Sequence, residues 1–256
     1  MPCPRVYEML SENVHLCIGV RVQSDVRQLH GTLAALRANS GRAFQLLLLP
    51  DGPDGEMIGA LRGMREPQLP MPEERGAGDC FARLVAAAEA PVVAFLESGA
   101  LVGPGWLDRL LAALEREPAA ALVGPSTSCG PQAVDSEGSA TAAAVARAAR
   151  QVGGRFGDGV VASAPPGALA GFCVVGRRDA LAGTGVPATP DWPAELNARL
   201  AARGRSSLWV RGAFVHQITP GPLLVLGRGS SGLCLRSPRL RRPRRLGSRR
   251  PYPPGP

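Results

Sequence analysis

No lysine occurs in this chain, so all 29 of its basic residues are arginine. Aromatic residues make up only 4% of it, which leaves any core to leucine, valine and alanine. No uninterrupted apolar stretch reaches the ~20 residues that a membrane helix needs. The opening MPCPRVYEMLSENVH carries acids where a secretory signal would need an apolar segment. Cys3, Cys17, Cys80, Cys129, Cys173 and Cys234 form no C-x-x-C pair. That spacing indicates neither a zinc site nor a disulfide framework, and a reducing compartment is the default. These absences predict a soluble, cytoplasmic protein without a membrane span.

What is present is unevenly spread. The net charge is +8, and Arg236, Arg239, Arg241, Arg242, Arg244, Arg245, Arg249 and Arg250 alone supply that much. Those eight taken from the 29 leave 21 arginines against 21 acids in the rest of the chain. The basic character therefore belongs to a tail, and no specific nucleic-acid-binding face is implied. From Gly221 onward the chain is rich in Gly, Ser, Arg and Pro, a composition that predicts disorder over 221–256. At 45% hydrophobic, the remainder has enough apolar material for one sizeable core.

The central stretch is Ala90 to Leu114. Val92-Val93-Ala94-Phe95-Leu96 reads as a strand buried on both faces, and Glu97-Ser98-Gly99 ends it. Pro104-Gly105 make a turn, after which Trp106, Leu107, Leu110, Leu111 and Leu114 recur at helical spacing. Upstream, His15–Val22 predicts a strand and Val26, Leu29, Leu33 and Leu36 an amphipathic helix. Ala43–Leu49 predicts a further buried strand, closed by Pro50-Asp51-Gly52-Pro53. Uninterrupted apolar character makes Ala43–Leu49 and Val92–Leu96 the expected neighbouring central strands of a mostly parallel sheet.

Downstream, Phe81, Leu84, Val85 and Ala88 mark a helix leading into the central strand. Ala120–Val123 predicts another strand, Gly124–Gly138 a long loop, Ala140–Val152 a helix and Gly153–Gly159 a flexible turn. Two short strands are expected over Ser207–Val210 and Gly212–His216.

Three segments, in order, carry a family resemblance: Val92–Leu114, Leu169–Asp179 and Asp191–Gly204. Together with Asp51-Gly52, they make residues 14–217 resemble the family 2 glycosyltransferases. The resemblance implies an α/β GT-A fold: a Rossmann-like, mostly parallel sheet flanked by helices. It also implies transfer of a sugar from a nucleotide sugar to a hydroxyl on a glycan, lipid or protein acceptor, with inversion.

The family's Asp-x-Asp becomes Glu97-Ser98-Gly99 here, which implies Glu97 as a ligand of a divalent metal (Mn²⁺ or Mg²⁺) and Ser98 and Gly99 beside the donor. His216 implies a second metal ligand. Asp51 and Gly52 imply the nucleoside contact, although Arg21-Val22-Gln23-Ser24 replace the family's Pro-x-Tyr-Asn. Arg75 is a further donor contact by position, and Gly171 and Trp192 fall where the acceptor would lie. Glu195 occupies the place of the family's general base.

Each residue also has a plainer reading. Asp51-Gly52 is good turn chemistry, and Glu97 could simply end a strand. Asp191 could cap a helix with Pro193 in its first turn and Glu195 at the positive end of its dipole. His216 could be a polar strand-end residue. The rival functions are a GT-A-like binding module without turnover and a polyanion binder acting through the tail.

Overall fold

The computed structural model describes residues 15–23, 25–130, 132–134, 140–157, 161–163 and 169–218. The tail expected from 221 onward lies outside the described residues. The chain opens with strand β1 (Leu16–Val22), buried along its whole length, and helix α1 (Val26–Asn39). Asp25 starts that helix by accepting from the amides of Arg27 and Gln28, which satisfies donors the first turn leaves open. Strand β2 (Gln45–Pro50) and helices α2 (Gly55–Arg62) and α3 (Ala77–Ala87) follow. Then come β3 (Val92–Glu97), the short β4 (Ala100–Val102), α4 (Trp106–Arg116) and β5 (Ala120–Thr127). The remaining elements are α5 (Ala142–Phe156), β6 (Val161–Ser163), β7 (Cys173–Arg177), α6 (Arg178–Thr184), α7 (Trp192–Ala201) and β8 (Ser206–Gln217).

The strands form one sheet in the order β2-β1-β3-β7-β5-β8-β4, with β6 alongside β8. It is an α/β sheet, parallel across β2-β1-β3 and again between β5 and β8. Strands β7, β4 and β6 enter antiparallel. The expected neighbours Ala43–Leu49 and Val92–Leu96 are not adjacent, because β1 lies between them and β2 is the outermost strand. Strand β2 is nevertheless buried toward its end, since the chain at 67–71 covers its open edge. Leu48 N donates to Pro67 O, Leu69 N to Leu48 O and Met71 N to Pro50 O.

Alternation along the strands divides the core. Ile18, Val20, Val22, Leu48, Ala94 and Leu96 pack under α1, α2 and α4. Cys17, Leu47, Leu49, Val93 and Phe95 face the other way, toward α3, α6 and α7. A third cluster joins Val145, Ala148, Ala149 and Val152 of α5 to Leu101 and Phe214. Arg177 ties two layers together by donating to the carbonyls of Ala120 and Leu114, the latter in the last turn of α4.

Three local expectations differ from the structure. Strand β5 runs on through Pro125 to Thr127, four residues into the expected loop, and a register shift between Pro125 and Ser126 absorbs the proline. The two expected closing strands are one strand, β8, paired with β5 along both halves, with β6 early and with β4 late. Helix α5 continues through Gly153, expected as a turn, and the missing side chain there leaves room for the Arg109 guanidinium.

Candidate functional site

Strand β1 is followed in sequence by β2 on one side of it and, after α2 and α3, by β3 on the other. The carboxyl ends of β1 and β3 therefore form a topological switch point, the place where open α/β sheets bind ligands. Arg21 and Glu97 are direct partners across that pair. Arg21 also pairs with Leu49 on β2, two residues before Asp51. Two-residue periodicity puts Arg21, Asp51 and Glu97 on the α3 face, just beyond the apolar layer of Cys17, Leu49 and Phe95.

Arg21 is the hub of this edge. It is only 7% exposed, yet it contacts three carboxylates. Its Nε donates to Asp51 Oδ2 at 2.8 Å and its Nη2 to Glu74 Oε1 at 3.1 Å, and its Nη1 lies 3.7 Å from Glu97 Oε1. The neighbouring acids outweigh the burial that would discharge it, and its pKa is raised. Asp51 is buried as well. Its Oδ1 accepts from Arg75 N at 2.7 Å, and its Oδ2 accepts from Gly76 N at 3.1 Å. Its oxygens are thus fully engaged with the protein.

Gly52 shows how tightly this corner is built. It has φ +60°, and a Cβ there would lie 2.6 Å from Glu74 N. Arg75, expected as a donor contact, uses its backbone amide on Asp51 while its side chain remains exposed. Beneath the cluster, Cys80 is buried, and its thiol is pushed up to about 12 by burial and then by Asp51. It stays protonated and unreactive.

Glu97 is the one acid of the cluster at a strand tip, with its side chain 19% exposed. Burial raises its pKa, Arg21 opposes that shift, and Asp51 adds to it. A carboxyl that holds its proton better when folded costs stability when charged. That cost is absent below the ordinary carboxylate value of 4.5 and grows as pH rises through the raised folded value. Glu97→Gln should therefore be more stable than the parent at pH 7, and the two should converge as pH falls toward 4, read by urea unfolding at each pH.

Ser98 and Gly99 form the turn between β3 and β4. Ser98 Oγ accepts from Gln23 N at 3.4 Å. Gly99 N donates to Thr32 Oγ1 at 2.9 Å, and Gly99 O accepts from Ile218 N at 2.9 Å. Gly99 has φ +96°, a conformation that side chains rarely adopt. An aspartate does not fit here, so Gly99→Asp would not rebuild an Asp-x-Asp. It should lose about 1–3 kcal/mol of stability in a denaturant titration.

His216 lies on β8 opposite Leu101 of β4, beyond that turn from Glu97. It is buried, which lowers its pKa and keeps the ring neutral at pH 7. Among the described residues, no three His, Cys, Asp or Glu side chains gather as a group able to hold a metal ion. The donor set argues against a divalent cation as well. Asp51 is committed, Gly99 offers no carboxylate, and Glu97 already faces a guanidinium. The residues at this edge do not fit the metal that the family resemblance implies.

On the acceptor side, Trp192 is 3% exposed. Its ring centroid is 5.3 Å from that of Phe81 and 6.1 Å from that of Phe95. A Cβ on Gly171 would come within 3.1 Å of the Trp192 indole, so the missing side chain at 171 makes room for packing. Trp192 is thus packed as a core residue against Phe81 and Phe95. Asp191 precedes α7 without a side-chain capping bond. Glu195 accepts from Thr189 Oγ1 at 2.9 Å and from Arg199 Nη2. Those hydrogen bonds lower its pKa, the reverse of what a general base at neutral pH needs.

No family model and no curated protein matches this chain. Solved structures do. The mannosyltransferase PcManGT from Pyrobaculum calidifontis, solved with GDP-Man and Mn²⁺, superposes with a TM-score of 0.59 at 13% identity over 82% of this chain and 58% of that one. GalNAc-T7 with UDP, GalNAc and Mn²⁺ superposes with a TM-score of 0.58 at 12% identity over 82% of this chain and 45% of that one. The chain thus spans about half the length of the solved structures it matches. The fold is that of the GT-A glycosyltransferases.

Proposed function

We propose that this domain binds a nucleotide sugar at the carboxyl edge of β1, β2 and β3 and transfers the sugar to an acceptor hydroxyl. The observation that carries this reading is the Arg21–Asp51–Glu97 cluster at a switch point, in a fold whose solved neighbours were captured with GDP-Man or UDP. Asp51 and Gly52 fix the loop against which the nucleoside would lie, and Arg75 stands at its rim. Attack by the acceptor oxygen on the anomeric carbon, in line with the departing diphosphate, would invert that centre. The acceptor is a glycan, lipid or protein hydroxyl.

A second reading, binding without turnover, is favoured by one observation: Glu195, the expected base, is tied to Thr189 and Arg199. The discriminating experiment incubates the chain with a panel of UDP- and GDP-sugars and follows released nucleotide by mass spectrometry, alongside thermal shifts for each compound. Transfer or hydrolysis of one sugar nucleotide supports the enzyme. Stabilisation without released nucleotide supports the binding module, and neither response would sink both.

A further inference from the structure

We infer that Arg21 is the resident cation of this edge and that the site takes a nucleoside diphosphate group without a divalent metal ion. The inference rests on the nucleotide-sugar reading above for its ligand, but its central observation is independent of it. An arginine is always charged, and this one is held by strand register directly opposite Glu97 at the tip of β3. It hydrogen-bonds Asp51 and Glu74 and lies 3.7 Å from Glu97, so a cation already stands among the carboxylates that could have attracted a metal.

The remaining positions close off the alternative. Gly99 holds a positive φ that excludes a second acid, and His216 is reached only past the β3–β4 turn. Positive charge for the diphosphate itself is at hand in Arg75. Its backbone is pinned to Asp51 and its side chain is exposed at the rim. Arg21 is offset by its own carboxylates, so the charge left to meet a diphosphate is that of Arg75.

The test uses the full chain with UDP, GDP and Mn²⁺ as probes. Nucleotide affinity is measured by calorimetry in EDTA and in excess Mn²⁺, and free Mn²⁺ is read separately by electron paramagnetic resonance. Affinity is expected to differ by less than about threefold between the two conditions, and Arg75→Ala to weaken it about tenfold in EDTA. The chain should leave the free Mn²⁺ signal undiminished. Arg21→Gln, where circular dichroism shows it folded, should begin to take up Mn²⁺ through the carboxylates it releases.

Nucleotide binding that tightens tenfold or more with Mn²⁺ would overturn the inference. So would Mn²⁺ uptake by the parent chain that Glu97→Gln abolishes, a folded Arg21→Gln that still ignores Mn²⁺, or an Arg75→Ala chain that binds as tightly as the parent. Absence of binding by either nucleotide in both conditions would overturn the nucleotide-sugar reading instead. The Mn²⁺ measurements on the parent and Glu97→Gln would still decide whether Arg21 has displaced the metal.

Discussion

Arg21→Met should destabilise this protein by about 3–5 kcal/mol, measured by urea unfolding followed by circular dichroism. The substitution keeps the volume of the buried stem and removes the charge. Asp51 then remains 2% exposed with only the amides of Arg75 and Gly76 to stabilise it. Breaking a buried pair from one side leaves its desolvation cost without the matching attraction, which is why the loss exceeds that of any surface ion pair here. The exposed Arg42–Asp108 pair, with N···O 2.7 Å, makes the comparison: Arg42→Met should cost less than about 1 kcal/mol. Arg21→Lys should recover only part of the deficit. A lysine has one charged nitrogen, whereas Arg21 serves Asp51, Glu74 and Glu97 from three. A loss under about 1 kcal/mol for Arg21→Met would mean that the cluster relaxes into solvent.

Trp192→Ala is expected to cost a further class of energy, about 3–5 kcal/mol from a cavity in the α3–α7 face. Phe81 and Phe95 are themselves 5.3 Å apart, so removal of the indole opens the centre of a three-ring cluster. Trp192→Phe should restore most of the loss, because the apolar area is largely kept. If Trp192 instead served an acceptor, its removal would raise KM for that acceptor and leave the melting temperature near the parent's. The two outcomes are separable by measuring both on one preparation.

Strands β2 and β3 were legible because a run such as Leu46-Leu47-Leu48-Leu49 has no polar face to offer water. Their order was not. Which strand inserts between two others depends on the hand and reach of the crossovers, and no local pattern carries that information. The acid at the end of β3 was legible from position alone, as was the Asp51-Gly52 corner. Arg21, at the centre of the candidate site, carries a signal in the sequence as well. Arg21 is the only charged residue within LCIGVRV, and it alternates in phase with Cys17 toward one face. A charge inside a doubly buried strand needs partners, and the acids at the ends of the adjoining strands were the available ones. Trp192 and Glu195 show what a motif leaves unsaid. A motif fixes spacing along the chain, but whether an indole points into the core or a carboxylate meets an arginine one turn later depends on packing.

The strip of chain laid along β2 has a consequence for how copies of this protein meet. An outermost parallel strand is ordinarily a template on which a foreign strand can polymerise. Here the template is occupied by residues 67–71, bonded through Pro67 O, Leu69 N and Met71 N. The covering strip is itself punctuated by Pro67, Pro70 and Pro72, which have no amide hydrogen to offer a next strand. At the far end of the sheet, β4 and β6 both lie along β8 and are only three residues long each. Among the described residues, the growth of sheet from molecule to molecule that begins many aggregates is thus opposed at β2 by proline and at β4 and β6 by brevity.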